Sequence, residues 1–462
     1  MIQKSLNVKT LAFACILGSS FSNVEGQVRK LPNILHIHAD DLRPDGAHAL
    51  GNPQLITPNF DKIVEQGISF THCYTMGSMT GAVCTPSRTM MLTGRSWQRI
   101  PGAMDAAQNA KDPSTFLPRV MEAAGYQTWH IGKHGNGFVK GLNEYEKTIQ
   151  DEANGSTPDN NRPNASKRLA DSTIVFLKNR KLNHDSRPFY AYVAPPVPHD
   201  PRLAEKRFHQ MYDPAKIQLS PAFMPLHPFD NGIMTVRDEK LAPWPRTPED
   251  TKQQTADYYS CISCLDYHVG RILAELKASG EWDNTIIIFS GDNGLSLGEH
   301  GLFGKQNLYE FGGMHVPLVI AGPGIQKGKT DALVYLMDLF PTITELGGAK
   351  NPEGVEGVSL MPVVKGEKAN VRDVLYTAFR DCQRAIRDDR WKLIRYPLVY
   401  VTQLFDLKND PHELNNLAGK PEFAERIEKM TAALETEMKS RGDKFPLQVA
   451  NPQPAEWVPP VE

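Results

Sequence analysis

Four oxygen-bearing side chains stand just after two strand-like runs of the sequence: Asp40, Asp41, Asp292 and Asn293. The first run covers residues 33–39, and the second, rich in β-branched residues, covers residues 285–289. Because the carboxyl ends of parallel strands meet at one edge of a sheet, the pattern predicts that these side chains lie close together. Carboxylate and amide oxygens suit calcium or magnesium better than zinc. Each pair taken alone is equally typical of a turn or a helix cap.

A cysteine that could carry covalent chemistry lies in the stretch GAVCTPSRTMMLTGR, residues 81–95. Cys84, followed by Thr-Pro-Ser-Arg and then by Leu-Thr-Gly-Arg, resembles the signature of the formylglycine-dependent sulfatases. An isolated cysteine at this place is more often a buried residue at the start of a helix. The length of the match, with the metal-ligand and lysine motifs elsewhere, favours the sulfatase interpretation.

The resemblance implies that Cys84 is oxidised by a formylglycine-generating maturation enzyme to 3-oxoalanine, an aldehyde. One hydroxyl of the aldehyde hydrate would attack sulfur, and deprotonation of the other would then eliminate sulfate, which splits the reaction into two easier steps. An ordinary serine ester has no second hydroxyl and could not eliminate in this way. The resemblance also places Cys84 with Asp40, Asp41, Asp292 and Asn293 around calcium, with magnesium as the alternative ion.

Further residues resemble the parts that sulfate ester hydrolysis needs, which are charge stabilisation on the nonbridging oxygens and protonation of the leaving oxygen. Lys133 and Lys305 match the sulfate-binding lysines of the family, and Arg88 matches the residue that holds the formylglycine hydrate. His199, after a proline-rich strand end, matches the histidine that contacts the leaving oxygen. Judged by their spacing alone, such residues are more often surface lysines and a histidine whose hydrogen bonds are satisfied.

The base that triggers sulfate elimination is expected to be His134. The family usually places this histidine two or three residues after a glycine-lysine pair, whereas His134 follows Lys133 at once. In a continuing strand these neighbours would face opposite sides, so the sequence predicts a turn here, made possible by Gly132 and Gly135. The rival is His130, which faces away from Lys133 if the strand is regular and is therefore expected to be structural.

The segments between these motifs alternate between strand and helix patterns. Strands are predicted at 33–39, 126–131, 188–193, 285–289 and 316–320, and helices at 58–67, 114–125, 164–180, 258–276 and 338–347. The alternation predicts an α/β fold with a doubly wound, mostly parallel sheet, which the resemblance implies is alkaline-phosphatase-like. Short runs at 374–379, 382–387, 391–395 and 403–407, before a helix at 421–442, predict a smaller carboxyl-terminal α+β subdomain with an antiparallel sheet.

Three segments are expected along the chain of 462 residues: a signal peptide at 1–27, a catalytic domain at 28–371 and a subdomain at 372–462. The signal has a positive start at Lys4 and Lys9, an apolar core and small residues for cleavage, which predicts an exported protein, periplasmic or secreted. No later apolar run is long enough to span a bilayer. A formal net charge of −2 argues against nucleic acid as a partner.

The sequence leaves the roles of two further stretches open. The proline-rich region from residue 195 to about residue 248 lacks periodicity, and connections of this length are usually functional or mobile. Cys261 and Cys264 have a C-x-x-C spacing, but without a second pair they are more typical of packing residues than of a zinc or redox site.

Taken together, the sequence predicts an exported sulfatase that acts on a sulfated polysaccharide or oligosaccharide. The run Asp-Asp-Leu-Arg-Pro at residues 40–44 resembles sulfatases that act on glycans. One alternative is a phosphatase or phosphodiesterase of the same superfamily, which would use serine or threonine and two zinc ions. Another is an inactive, glycan-binding relative, which would lack one or more of Cys84, Arg88, Lys305 or the aspartates. All of these residues are present.

Overall fold

The protein is seen in a computed structural model that describes residue 1 and residues 30–100, 113–135, 138–151 and 164–460. The predicted signal peptide falls, apart from residue 1, on residues outside this described part. The strands, in chain order, are β1 Asn33–Ala39, β2 Gly67–Tyr74, β3 Gly77–Ser78, β4 Gln127–Lys133, β5 Lys147–Asp151, β6 Phe189–Ala194, β7 Thr285–Gly291, β8 His315–Ala321, β9 Gly328–Tyr335, β10 Leu375–Phe379, β11 Gln383–Arg387, β12 Trp391–Tyr396 and β13 Val401–Asp406.

The larger sheet has, within the described residues, eight strands in the order β5-β4-β6-β1-β7-β8-β2-β9. All of its strand pairs are parallel except the two that β8 makes, with β7 and with β2. In the β1–β7 pair, Ala39 is opposite Gly291, so the residues that follow both strands leave the sheet side by side. The predicted mostly parallel sheet is confirmed.

The α-helices are α1 Pro58–Gln66, α2 Cys84–Thr93, α3 Leu117–Ala123, α4 Val139–Leu142, α5 Ala165–Leu182, α6 Lys206–His209, α7 Pro248–Ala278, α8 Leu339–Leu346, α9 Met361–Val364 and α10 Ala424–Arg441. Helices α1, α5 and α7 share one apolar cluster with Leu35 and Ile37 of β1. Helices α2, α3 and α8 share another with Ile34. Successive residues of a strand face opposite sides, so the sheet is covered on both faces, as a doubly wound fold requires.

The smaller sheet has the strand order β13-β12-β11-β10-β3 in the described part of the chain. Its pairs are antiparallel except for β10–β3, and α10 contributes the buried residues Met430, Leu434 and Met438 to the adjoining core. Strand β3 stands just before α2, and a Cβ at Gly77 would lie 1.7 Å from the carbonyl oxygen of Ala378. Only glycine allows this approach.

Segment Leu31–Glu462 packs as one unit. The antiparallel pairs from β10 to β13 confirm the predicted antiparallel sheet of the carboxyl-terminal part, while the division at residues 371 and 372 stays a prediction.

Helix α7 begins at Pro248, well before the predicted start at Tyr258. Thr247 caps it by accepting a 3.0 Å hydrogen bond from the backbone N–H of Asp250, and Pro248 occupies the first turn. The first residues of the helix are mostly polar, so they carry no apolar periodicity to predict them. Among the described helices, none is long and apolar enough to cross a membrane.

Candidate active site

The four predicted oxygen-bearing residues come together at the carboxyl edge of β1 and β7. The backbone N–H of Asp41 donates to Oδ1 of Asp292 at 3.0 Å, and Nδ2 of Asn293 donates to Oδ1 of Asp41 at 2.8 Å. The N–H of Asp292 bonds the carbonyl of Ala39 at 3.0 Å, which continues the β1–β7 register. Asp41 has φ 63°, so the chain turns and this residue and Asp40 both reach the site.

Cys84 is the first residue of α2, and its ligand atom lies with those of Asp40 and Asp292 in a group whose members are all within 4.8 Å of one another. Its neighbour Ser87 ties the helix to the strand end by donating to the carbonyl of Asp292 at 2.6 Å. Burial raises the pKa of the Cys84 thiol, so an unmodified cysteine would be protonated at neutral pH and a poor nucleophile.

Arg88 lies one helical turn after Cys84 and is completely buried. Its Nε donates to Oδ2 of Asp292 at 2.8 Å, and its Nη1 donates to the hydroxyl of Tyr192 at 2.9 Å. Nη2 lies 3.9 Å from Oδ1 of Asp40 and is a buried donor without a hydrogen-bond partner among the described residues. A buried, unpaired donor beside Cys84 is suited to hold an oxygen atom on residue 84.

Both predicted lysines bond carboxylates of this cluster, each a different one. Nζ of Lys133 donates to Oδ2 of Asp40, and Nζ of Lys305 donates to Oδ1 and Oδ2 of Asp41 at 2.7 and 3.0 Å. Burial disfavours the ammonium form of Lys305, but Asp41 and the other acidic groups nearby together outweigh it, and the pKa of Lys305 lies well above its usual value. Burial likewise opposes ionisation of Asp40, yet Lys133 and other nearby cations lower its pKa well below the usual range.

His199 stands at the open side of this cluster, after a strand end rich in proline. Its Nδ1 donates to the carbonyl of Asp200 at 2.7 Å, and its Nε2 lies 3.8 Å from Oδ2 of Asp41. The ring is partly exposed, so a substrate could approach Nε2 from outside.

Nε2 of His134 is 2.9 Å from Oδ1 of Asn143, and among the described residues no hydrogen bond or ion pair joins His134 to Asp40, Asp41 or Asp292. Strand β4 runs on to Lys133, so the predicted turn begins only after that residue.

His130 does not face away from the site, because β4 is not a regular strand. Gly132 has φ 119°, which breaks the alternation of side chains, and a Cβ there would lie 2.2 Å from the carbonyl of Ala194. The His130 ring stacks at 5.8 Å on Tyr192, the residue that bonds Arg88. Burial lowers the pKa of His130 to about 3.

The donor set fits a hard divalent cation. Oδ1 of Asp40 and Oδ1 of Asn293 are buried and have no hydrogen-bond partner within the described part of the chain. Buried oxygens in this state are rare, and a bound cation would satisfy both. The carboxylate and amide oxygens are the ligands of calcium or magnesium.

Several residues of the site were not predicted. Tyr192 lies inside an apolar strand, and Asp200 and Arg237 belong to the proline-rich region. None of them has a pattern in the sequence that marks it, because each is placed by contacts between distant segments. Cys261 and Cys264, by contrast, are packed with Ala204 and Phe208 as the structural interpretation predicts.

At its carboxyl edge the α/β sheet thus presents a buried cysteine, a carboxylate cluster and two lysines, a set suited to binding a cation and an anionic group together. The Sulfatase family model matches residues 32–349, and the model of the N-sulphoglucosamine sulphohydrolase C-terminal region matches residues 298–440. The chain belongs to the sulfatase family and is a sulfuric ester hydrolase.

Known relatives agree with this assignment along nearly the whole chain. The N-acetylglucosamine-6-O-sulfatase of Bacteroides thetaiotaomicron is 26% identical, with 94% of this chain and 91% of the relative covered. The choline-sulfatase of Rhizobium meliloti is 31% identical, with 84% and 83% covered. A protein solved in complex with its substrate D-glucosamine-2-N,6-O-disulfate superposes with a TM-score of 0.74 at 22% identity, covering 90% of this chain and 99% of the other.

Proposed function

We propose that this protein is an exported sulfatase that removes O-sulfate groups from a sulfated polysaccharide or oligosaccharide, with formylglycine at position 84 and a bound calcium ion. The observation that carries the proposal is the placement of Cys84 within 4.8 Å of the ligand atoms of Asp40 and Asp292. A cysteine held against two carboxylates, with its pKa raised by burial, is unsuited to thiolate chemistry. It is well placed to become an oxygen-bearing group that shares a cation with them.

The residues that would hold the ion are Asp40, Asp41, Asp292, Asn293 and the modified residue 84. Calcium, or magnesium in its place, would supply Lewis-acid polarisation of a sulfate oxygen. The formylglycine hydrate would supply the attacking hydroxyl, and its formation requires a maturation enzyme as a partner before or during export.

The protein's own residues bind and orient the sulfate group. Lys133 and Lys305 are buried ammonium groups at the cluster, and both are suited to contact nonbridging sulfate oxygens, where negative charge must be stabilised. Arg88 is fixed by Asp292 and Tyr192, and its remaining donor Nη2, 3.9 Å from Asp40 and unbonded among the described residues, would bind an oxygen of the hydrate on residue 84. His199 presents Nε2 at the open side, where the leaving oxygen would depart and take up a proton.

The proposed substrate class rests on the relatives. The N-acetylglucosamine-6-O-sulfatase and the protein bound to D-glucosamine-2-N,6-O-disulfate both act on sulfated sugars. The choline-sulfatase is named for a substrate that is not a sugar, so choline sulfate is the necessary comparison. We expect higher kcat/KM for a sulfated glucosamine than for choline sulfate.

The test compares rates on para-nitrophenyl sulfate and para-nitrophenyl phosphate for protein made with and without a formylglycine-generating enzyme. We expect the sulfate to be preferred, activity to follow maturation, and the peptide covering residues 82–88 to have the mass of the aldehyde form. Cys84→Ala should fold normally and lose turnover, whereas Cys382→Ala, a change at another buried cysteine, should keep it. Full activity from a protein whose Cys84 is an unmodified thiol would contradict the proposal.

A further inference from the structure

Arg237 connects the two sides of the active site. It lies in the proline-rich region between β6 and α7, and 62% of its side chain is exposed. Despite this exposure its guanidinium is held by two carboxylates, Asp200 and Asp238, one on each side. An exposed ion pair adds little stability, so an arrangement with this many bonds calls for another explanation.

The first carboxylate connects Arg237 to His199. Nη1 of Arg237 donates to Oδ2 of Asp200 at 2.9 Å, and Nη2 donates to Oδ1 at 3.0 Å, which is a two-point contact. The carbonyl of the same Asp200 accepts the 2.7 Å hydrogen bond from Nδ1 of His199, and its Oδ1 lies 3.4 Å from that nitrogen. Fixing Asp200 therefore fixes the ring of His199.

The second carboxylate connects Arg237 to the segment that carries Lys305. Nη2 of Arg237 donates to Oδ1 of Asp238 at 2.5 Å. Oδ2 of Asp238 accepts a 2.6 Å hydrogen bond from Nε2 of Gln306, the residue next to Lys305. Asp238 is nearly buried, with 8% of its side chain exposed, and so gives the guanidinium a rigid support.

Nη2 of Arg237 also bonds Nε2 of His199, at 3.4 Å. This is the longest of the three contacts of Nη2, whose bonds to Asp200 and Asp238 measure 3.0 and 2.5 Å, so a substrate oxygen can replace it at Nε2 while both carboxylates stay bound. With Nδ1 turned to Asp200, Nε2 faces the cluster side, 3.8 Å from Asp41.

We infer that Arg237 is a positioning residue, which orients His199 through Asp200 so that Nε2 meets the leaving oxygen of the substrate. The inference rests on the proposed function, because it assumes that His199 acts on the departing alcohol. A guanidinium can bond two carboxylates in one plane, whereas a lysine ammonium can only approximate this geometry. Arg237→Lys should therefore keep part of the effect and Arg237→Met should lose it.

The experiment measures kcat and KM for para-nitrophenyl, phenyl and para-methylphenyl sulfate, whose phenols are progressively poorer leaving groups. Protonation or hydrogen bonding of the leaving oxygen increases the rate most when the alcohol is a poor leaving group. For Arg237→Met we expect kcat/KM to fall about 3-fold with para-nitrophenyl sulfate and about 100-fold with the poorer leaving groups, a loss carried by kcat. Arg237→Lys should lie between this variant and wild type.

The matched control is Arg207→Met, which removes another exposed arginine of the same region, paired with Glu205 at 3.1 Å. It should follow wild type with every substrate. Asp200→Asn keeps the shape of the side chain but removes the charge that Arg237 bonds. It should reproduce the pattern of Arg237→Met, and it provides the same test if Arg237→Met does not fold.

An equal loss for all three esters, or no loss, in an active protein would overturn the inference and leave the proposed function standing. A wild-type protein that is matured at Cys84 but hydrolyses no sulfate ester would overturn both.

Discussion

Arg88 shows how a single residue organises the centre of the site. Its guanidinium is completely buried, bonds Asp292 and Tyr192, and leaves Nη2 without a partner in the described part of the chain. Arg88, Lys133 and Lys305 offset the charge of Asp40, Asp41 and Asp292 there. A dication and a sulfate ester would therefore enter a site that is already close to neutral, and the lysines would exchange a carboxylate partner for a sulfate oxygen.

His130 is poorly suited to act as a base. Burial lowers the pKa of His130 to about 3, so this ring is neutral at physiological pH and a weak base. It packs between Tyr145 and Tyr192, at 5.9 and 5.8 Å, and thereby supports the tyrosine that holds Arg88. His134 is partly exposed, and its ring forms a hydrogen bond with Asn143.

The assignment of His134 as the base rests on its place in the sequence next to Lys133. On this basis we predict that His134→Ala slows steady-state turnover severely while the first turnover remains fast, because the base is needed to release sulfate rather than to form the sulfated enzyme. His130→Ala should mainly lower thermal stability, since it leaves a cavity beside Tyr192. Burst and steady-state rates, with His48→Ala as an exposed control histidine, measure both effects. A fully active His134→Ala would show that another group is the base.

At the scale of elements, the sequence predicts best those strands and helices whose pattern is local. Strands β1 and β7 are continuous apolar runs, and pairing them in parallel is enough to bring Asp40 to Asp292. Strands β2 and β9 were not predicted, because β2 follows α1 without a turn at Gly67 and β9 begins with exposed polar residues. The reversed direction of β8 depends on which neighbours it pairs with, which no local pattern records.

The same limit applies within the site. Asp40, Asp41, Asp292 and Asn293 were placed together from strand ends alone. The contacts of Tyr192 with Arg88 and of Arg237 with Asp200 join segments that are far apart in the sequence, so only the folded chain reveals them. His130 meets Tyr192 because the two residues are partners in the β4–β6 register, and the positive φ of Gly132, at the close approach of Ala194 on the neighbouring strand, is likewise a feature of strand pairing.

A buried charge network joins the smaller sheet to the segment that carries Lys305. Glu310 bonds Lys392 at 2.9 Å and lies 3.2 Å from Arg387, while its backbone N–H donates to Oε2 of Glu413 at 2.6 Å. Lys392 also lies 3.0 Å from Oε1 of Glu413. Burial raises the pKa of Glu413 from 4.5 to about 7, against the attraction of Lys392.

The raised pKa predicts that Glu413 makes stability depend on pH. Between the unfolded value of 4.5 and the folded value of about 7, the folded state holds more protons, so stability decreases as pH rises through this window. Relative to Glu413→Gln, which cannot titrate, the wild-type free energy of unfolding should fall by about 2 to 3 kcal/mol from about pH 5 to about pH 8. Denaturant unfolding at several pH values measures this difference.

Exposed Glu422 supplies the control for this measurement, because its replacement by glutamine should leave the pH dependence of unfolding unchanged. A wild-type curve that stays parallel to that of Glu413→Gln would mean that Glu413 is ionised in the folded state throughout the range.

For the whole molecule, the proposed calcium ion would tie together segments that are distant in the chain. Its ligands would come from the end of β1, the end of β7 and the start of α2, so they exist as a set only when the large sheet is formed. An ion that binds the folded but not the unfolded state stabilises the protein by mass action, by about 2.7 kcal/mol when its concentration is 100 times the dissociation constant. Metal binding should therefore be visible in the melting of the entire molecule, and not only in its activity.

We predict that a chelator abolishes activity and lowers Tm by several degrees, and that added calcium restores both. The carboxylates of Asp40, Asp41 and Asp292 would repel one another more strongly without the ion, which adds to the loss of mass-action stabilisation. Asp292→Asn should reduce the calcium-dependent rise in Tm, whereas Asp283→Asn, at a carboxylate just before β7 and outside the cluster, should keep it. Scanning calorimetry at several calcium concentrations, with magnesium in parallel, gives the size of the shift and the preferred ion. If rate and Tm are both unchanged in chelator, the oxygens of Asp40 and Asn293 that lack hydrogen-bond partners do not hold a metal, and the charge balance of the site must be reconsidered without one.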